Sequence, residues 1–267
     1  MRTFSHPGYK RFLLSVGCLL SIHFTALFFL TLFRLVFFFS ANYDFPDQEH
    51  VGFMSIWPAF IRGVWFDNVI ACYILLIPLV AVSISALFNY YGKILWNVTC
   101  IFFSLFYGIV LLVTAANIPY FQYFFKIINS SVFNWFGYMN TTAGMVFGET
   151  SYYPPLIGFL LTLVLFIWLM RRLIRHFQRL LNTKNPSVFW LDRIYIFLTA
   201  GICIGLCLFG IRGRTGYNPI KVSAAYYCTD PFLNQLGISP VFNLLSSTLD
   251  DSRKEKICLR RRPRRIP

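Results

Sequence analysis

The sequence is poor in charge. Asp, Glu, Lys and Arg make up 13% of its 267 residues, and only ten of these are acids. A soluble domain carries about a quarter of its residues as charges, so a water-exposed globule is excluded. Histidine is scarce as well: His6, His23, His50 and His176 are far apart in sequence. The seven cysteines include no CxxC pair, and nothing has the ligand spacing of a zinc site. Cys18, Cys72, Cys100, Cys203 and Cys207 lie in apolar segments and read as small core residues, whereas Cys228 and Cys258 lie in polar ones. There is no GxSxG elbow, no glycine loop to cradle a phosphate and no nucleophile with an evident base. These residues by themselves support no catalysis.

Apolar and aromatic side chains fill the space that charge leaves. Hydrophobic residues make up 57% of the chain, with 31 Phe and 15 Tyr, and mean hydropathy is +0.60. This composition predicts an all-α membrane protein. Five runs have about the 20 apolar residues that a spanning helix needs. They are Phe12–Phe39, Val69–Phe88, Leu95–Ile118, Pro155–Met170 and Ile194–Ile211. The first is too long for a signal-peptide core and reads as an uncleaved anchor. Pro78 is expected to kink the second, which a membrane helix tolerates.

Net charge is +14, but its placement argues for a membrane and against nucleic acid. Residues 253–267 hold eight of the 24 basic residues and one acid. Most of the other basic residues flank the apolar runs. Arg2, Lys10 and Arg11 precede the first run and Lys93 follows the second. Arg171, Arg172, Arg175, Arg179, Lys184 and Arg193 lie between the fourth and fifth. The two remaining loops are acidic or nearly neutral: Asp44, Asp47, Glu49 and Asp67 oppose Arg62 in one, and Lys126 and Glu149 balance in the other. The alternation puts the N-terminus in the cytoplasm. Five spans then put the C-terminus outside.

The resulting organisation is a five-span domain over 1–211, an extracytoplasmic juxtamembrane linker with short helices over 212–252, and a basic tail over 253–267. Residues 119–155 are rich in Tyr and Phe but broken by Asn, Gly and Thr. They are expected to form one or two short amphipathic helices on the outer surface. The sequons at Asn97, Asn129 and Asn140 are of a kind that chance often produces. In IRGVWFDNV, residues 61–69, Arg62 and Asp67 fall at the membrane boundary. They either anchor a helix end or meet a lipid phosphate. With Arg212 and Arg214 after the fifth run, they are the candidate contacts for lipid headgroups.

Three stretches carry a family resemblance. RGVWFDNV before the second run, NIPYFQYFFKIINSSVFNWFG after the third and RGRTGYNPIKVSAAYYCTDPFLNQLGISPVFNLLSS after the fifth are similar to the lipoteichoic acid synthase-like family. The resemblance covers residues from about 12 to 252, and the PFLNQLG run is its most specific part. Gly63, Val64, Trp65, Phe66 and Asp67 match an element in which the family usually has Arg where this chain has Trp65.

The resemblance implies a bacterial cytoplasmic-membrane enzyme, either a phosphotransferase or a sulfatase. In the family, five spans precede a large extracytoplasmic α/β domain with a threonine nucleophile and a divalent metal, commonly manganese. That domain transfers phosphoglycerol or phosphoethanolamine from a phospholipid, or cleaves a sulfate-type ester. None of its catalytic residues maps onto a position in these 267 residues. The expected partners are therefore the bilayer, lipid headgroups and an extracytoplasmic catalytic domain. This chain would anchor that domain and present the lipid, without activity of its own.

The closing ICLRRRPRRIP changes character abruptly. It reads either as frameshifted translation of a truncated family member or as a native basic tail held to anionic lipid at about 1 kcal/mol per charge. The alternative function is a non-enzymatic five-span membrane protein, either a transporter subunit or an assembly partner. That role needs polar groups within the spans, where His23 and a few Ser, Thr and Asn are the candidates.

Overall fold

A computed structural model describes residues 7–44, 53–138, 144, 148, 150–181 and 190–261. Among these residues the fold is entirely helical. Five helices are long and apolar enough to cross a membrane: α1 (Pro7–Asp44), α2 (Phe53–Leu87), α3 (Lys93–Phe124), α4 (Tyr153–Leu181) and α5 (Trp190–Arg212). A 3-10 helix, Ser130–Tyr138, stands in the loop where short amphipathic helices are expected. Two short helices, Thr150–Tyr152 and Val222–Ala225, and two α-helices, α6 (Pro231–Leu236) and α7 (Pro240–Arg261), complete the described elements. The protein is a multi-pass membrane protein by this architecture.

Four of the spanning helices contain their predicted runs and extend beyond them, and α2 stops one residue short of Phe88 at its far end. The largest extension is in α2, which starts at Phe53, so that IRGVWFDNV is helical throughout. In a bilayer, an α-helix satisfies its own backbone groups, so nothing favours breaking it at a charge. Pro78 lies within α2 and does not end it. Ser and Thr hydroxyls are satisfied in the same way. Ser15 donates to Arg11 O at 3.0 Å and Ser83 to Leu79 O at 2.7 Å, each one turn back. At the other extreme, α4 runs through Arg171, Arg172, Arg175 and Arg179, which the sequence placed in a loop. Met170, Ile174 and Leu181 are buried along one face, and the arginines can extend toward water.

Left-handed residues end three of these helices. Asn89 (φ 54°) closes α2 in a Schellman motif: its N–H bonds Ala86 O at 3.0 Å, and Tyr90 N–H bonds Ser85 O at 2.8 Å. Phe125 (φ 54°) ends α3 with its N–H on Phe121 O at 2.8 Å. Gly213 (φ 67°) ends α5 likewise on Phe209 O at 3.1 Å. A Cβ at Gly213 would stand 2.8 Å from Ile220 Cγ2 and 3.0 Å from Val69 Cγ2, so glycine is required for space as well as for φ.

The chain forms two compact units. One comprises Met1–Leu32, Asp67–Leu112 and Phe159–Ile220, and the other Phe33–Phe66, Val113–Gly158 and Lys221–Pro267. In the first, Phe166 packs edge-on against Phe29 and Tyr107, at 6.1 and 5.4 Å between ring centres. In the second, Phe232 from α6 lies among Phe37, Phe38 and Phe121, with centroids 5.8 to 6.3 Å away. Phe66 and Phe242 approach to 4.8 Å in the same unit.

Candidate functional site

The second unit turns the run YYCTDPFLNQLG into a fixed structure. Asp230 caps α6: its carboxylate accepts from Phe232 N at 2.7 Å and Leu233 N at 3.2 Å, and Pro231 occupies the first helical position. Asn234, 5% exposed, then closes the preceding turn. Its side-chain oxygen accepts from Tyr227 N at 2.9 Å and Cys228 N at 3.3 Å, and its amide donates to Cys228 O at 2.7 Å. The polar residues of this run satisfy backbone groups that burial would otherwise strand.

A buried arginine holds the other end of α6. Arg34, 5% exposed near the end of α1, donates to Leu236 O and, at 3.2 Å, to Ile238 O. Leu236 is the last residue of α6 and Ile238 follows it, so neither carbonyl has an intrahelical donor. A charged donor stabilises such a bond by about 1.5–3 kcal/mol. Gly63 of α2 makes the room: a Cβ there would collide with the Arg34 guanidinium. This is a physical role for the glycine of the GVWFD element.

Further bonds tie the segment to α3 and the loop after it. Ile128 N donates to Asn117 at 3.0 Å, and Asn243 donates to Ile128 O at 2.9 Å. Gln235 accepts from Ile127 N at 3.2 Å. Ser130 donates through its backbone to Ser247 at 2.9 Å and through its hydroxyl to Asp251 at 2.5 Å. The hydroxyl bond, with Lys254 nearby, holds the exposed Asp251 carboxyl below the usual carboxylate range. Fixed at these points, α7 is one helix of 22 residues, about 33 Å long. It crosses the 252/253 boundary drawn from sequence without a break. Residues 262–267 of the basic tail lie outside the described residues, as do Asn140 and Asp47 and Glu49 of the first external loop.

The four candidate headgroup residues have different surroundings. In the second unit, the Arg62 guanidinium lies over the Tyr227 ring at 4.3 Å, half-buried. Burial raises the Tyr227 phenol to about 12 despite that positive neighbour, so it is protonated at neutral pH. In the first unit, Asp67 is 3% exposed, which removes it from water-borne ligands. Arg212 donates to Gly216 O at 2.5 Å and Tyr217 O at 2.8 Å, bracing the turn after α5. Arg214 in that turn is exposed. Arg34, Asn234 and Gly63 have the more structured roles, and sequence reasoning missed them. The only sequence signal was a lone arginine inside an apolar run.

The spans also contain a polar pair. His23 Nε2 and Asn68 Oδ1 are 3.1 Å apart in the first unit, and His23 is 5% exposed. The Cys207 thiol donates to Cys72 O at 3.3 Å in the same unit. Among the described residues, no three His, Cys, Asp or Glu side chains are grouped closely enough to hold a metal. No family model, curated protein or solved structure matches the chain.

Proposed function

We propose that this chain is the membrane-embedded, lipid-presenting region of a phosphotransferase or sulfatase of the lipoteichoic acid synthase-like type, in a bacterial cytoplasmic membrane. One observation carries the reading. The segment after the last span is tied to α1 through Arg34 and to the loop after α3 through Gln235, Asn243 and Ser130, and it emerges as one continuous helix. Such a base would hold a following domain at a set height and angle. Arg62, stacked on Tyr227, and the exposed Arg214 offer cations for a lipid phosphate. Catalysis belongs to an extracytoplasmic domain outside these 267 residues.

The test is to sequence the gene through codons 250–267 and onward, and to translate it in all three frames. The expected result is a frame encoding a long α/β domain with a threonine nucleophile and clustered Asp, Glu and His. A genuine stop with no such frame downstream overturns the reading. The His23–Asn68 pair favours a second reading, a subunit that conducts or transports a solute. That reading requires solute movement in liposomes holding the chain alone, and its loss in His23→Ala.

A further inference from the structure

The first unit contains a cavity of about 520 Å³ that the proposed role does not use. Three segments line it: the start of α1, the turn from α2 into α3, and the last turns of α4. They contribute four cations, Arg11, Lys93, Arg175 and Arg179, and no Asp or Glu is in the lining. Arg175 and Arg179 are one helical turn apart, where like charges repel. Lys93 opens α3 at the end where the helix dipole favours an anion and disfavours a cation. A bound negative charge would offset the repulsion between Arg175 and Arg179 and suit the N-terminal end of α3.

Two uncharged donors in the lining point the same way. The Tyr91 hydroxyl and Trp96 Nε1 are buried and have no hydrogen-bond partner. Trp96 is 1% exposed, so its indole N–H has no access to bulk water. Orphaned buried polar atoms are rare and mark a missing ligand or water. Burial raises the Tyr91 phenol to about 12 against the opposing effect of Arg11, so Tyr91 remains a hydrogen-bond donor at neutral pH. The Arg11 guanidinium faces its ring at 6.0 Å. Two neutral donors and four cations suit a phosphate, whose oxygens accept several bonds at once.

We infer that this cavity binds a phosphate-bearing anion through Arg11, Lys93, Arg175 and Arg179, with Trp96 and Tyr91 donating to its oxygens. The loop charges assign this face to the cytoplasm. The phosphate can belong to an anionic lipid headgroup at the inner leaflet or to a soluble phosphate compound. The site stands whether or not the chain carries a catalytic domain.

The test uses the full chain, delipidated in mild detergent. One arm adds phosphatidic acid and measures lipid retained by native mass spectrometry. The other adds inorganic pyrophosphate and measures the shift in thermal unfolding. Arg175→Gln with Arg179→Gln should lower apparent affinity about tenfold or more in the responsive arm. Arg171→Gln with Arg172→Gln, on the same helix but outside the lining, should not change it. Retention of phosphatidic acid identifies a lipid, and a response to pyrophosphate alone identifies a soluble ligand; either supports the site. If the wild type responds to neither probe, or no more than the Arg175/Arg179 variant does, the inference is overturned. Should that variant misfold, Lys93→Gln and Trp96→Phe carry the same comparison, with smaller losses expected.

Discussion

Polar groups have opposite surroundings in the two units. In the second, Asp230, Asn234 and Asn243 spend their hydrogen bonds on backbone atoms of the same unit, and Arg34 Nη1 does the same. In the first, Asn89, Tyr91 and Trp96 border a cavity with polar atoms left unbonded. Satisfied groups fix a shape, whereas unsatisfied ones beside open volume and clustered charge await a ligand. The PFLNQLG run therefore has a structural role, and the anion site inferred above lies among residues that read in sequence as ordinary basic flanks.

The sharpest way to break this contrast is Gly63→Ala. Displacing the Arg34 guanidinium should cost about 3 kcal/mol, seen as a large fall in thermal unfolding temperature in detergent. If Gly63 only makes room, the same change in an Arg34→Ala background should cost far less, and a double-mutant cycle measures the difference. Asn234→Ala comes next, at about 2 kcal/mol, because three bonds from a buried side chain to the backbone are lost. Added anion should not alter that loss. Gly213→Ala should cost about 1–2 kcal/mol from its left-handed backbone, plus the clash with Ile220, by the same melts.

Two smaller effects sharpen the comparison. Trp96→Phe removes an orphaned donor, so stability without anion should stay within about 0.5 kcal/mol or rise. A fall well beyond that would place Trp96 among the satisfied groups. Asp251→Asn should have the least effect at neutral pH. The folded carboxyl titrates below its unfolded value, so its tether is fully present above the unfolded pKa and lost as pH falls through the folded one. Melts from neutral pH to about pH 3 should show this loss in the wild type and not in Asp251→Asn.

The five spans were legible because a bilayer demands long apolar runs, and nothing else in the chain resembles them. Their ends were not. Arg62 and Asp67 looked like a boundary, yet α2 continues 14 residues before Asp67, because a membrane helix need not stop at a charge whose surroundings accommodate it. The charged stretch LDDSRKEK looked like a linker, but α7 carries it as helix. Arg11, Lys93 and Arg175 each read as cytoplasmic flanks by the alternation rule. Their convergence on one cavity depends on packing between distant segments, to which that rule is blind. Arg34 lies near the outer end of the first apolar run, but its acceptors lie 202 and 204 residues away.

That separation has a consequence for biogenesis. Synthesis runs from the N-terminus, so α1 and its Arg34 enter the membrane long before Leu236 and Ile238 leave the ribosome. An arginine inside a span is costly until its acceptors arrive. During that interval the nascent chain depends on the insertion machinery, water or lipid headgroups to shelter one charge. The second unit can close only after the fifth span is in place, and a chain interrupted before residue 236 would leave that charge without two of its acceptors.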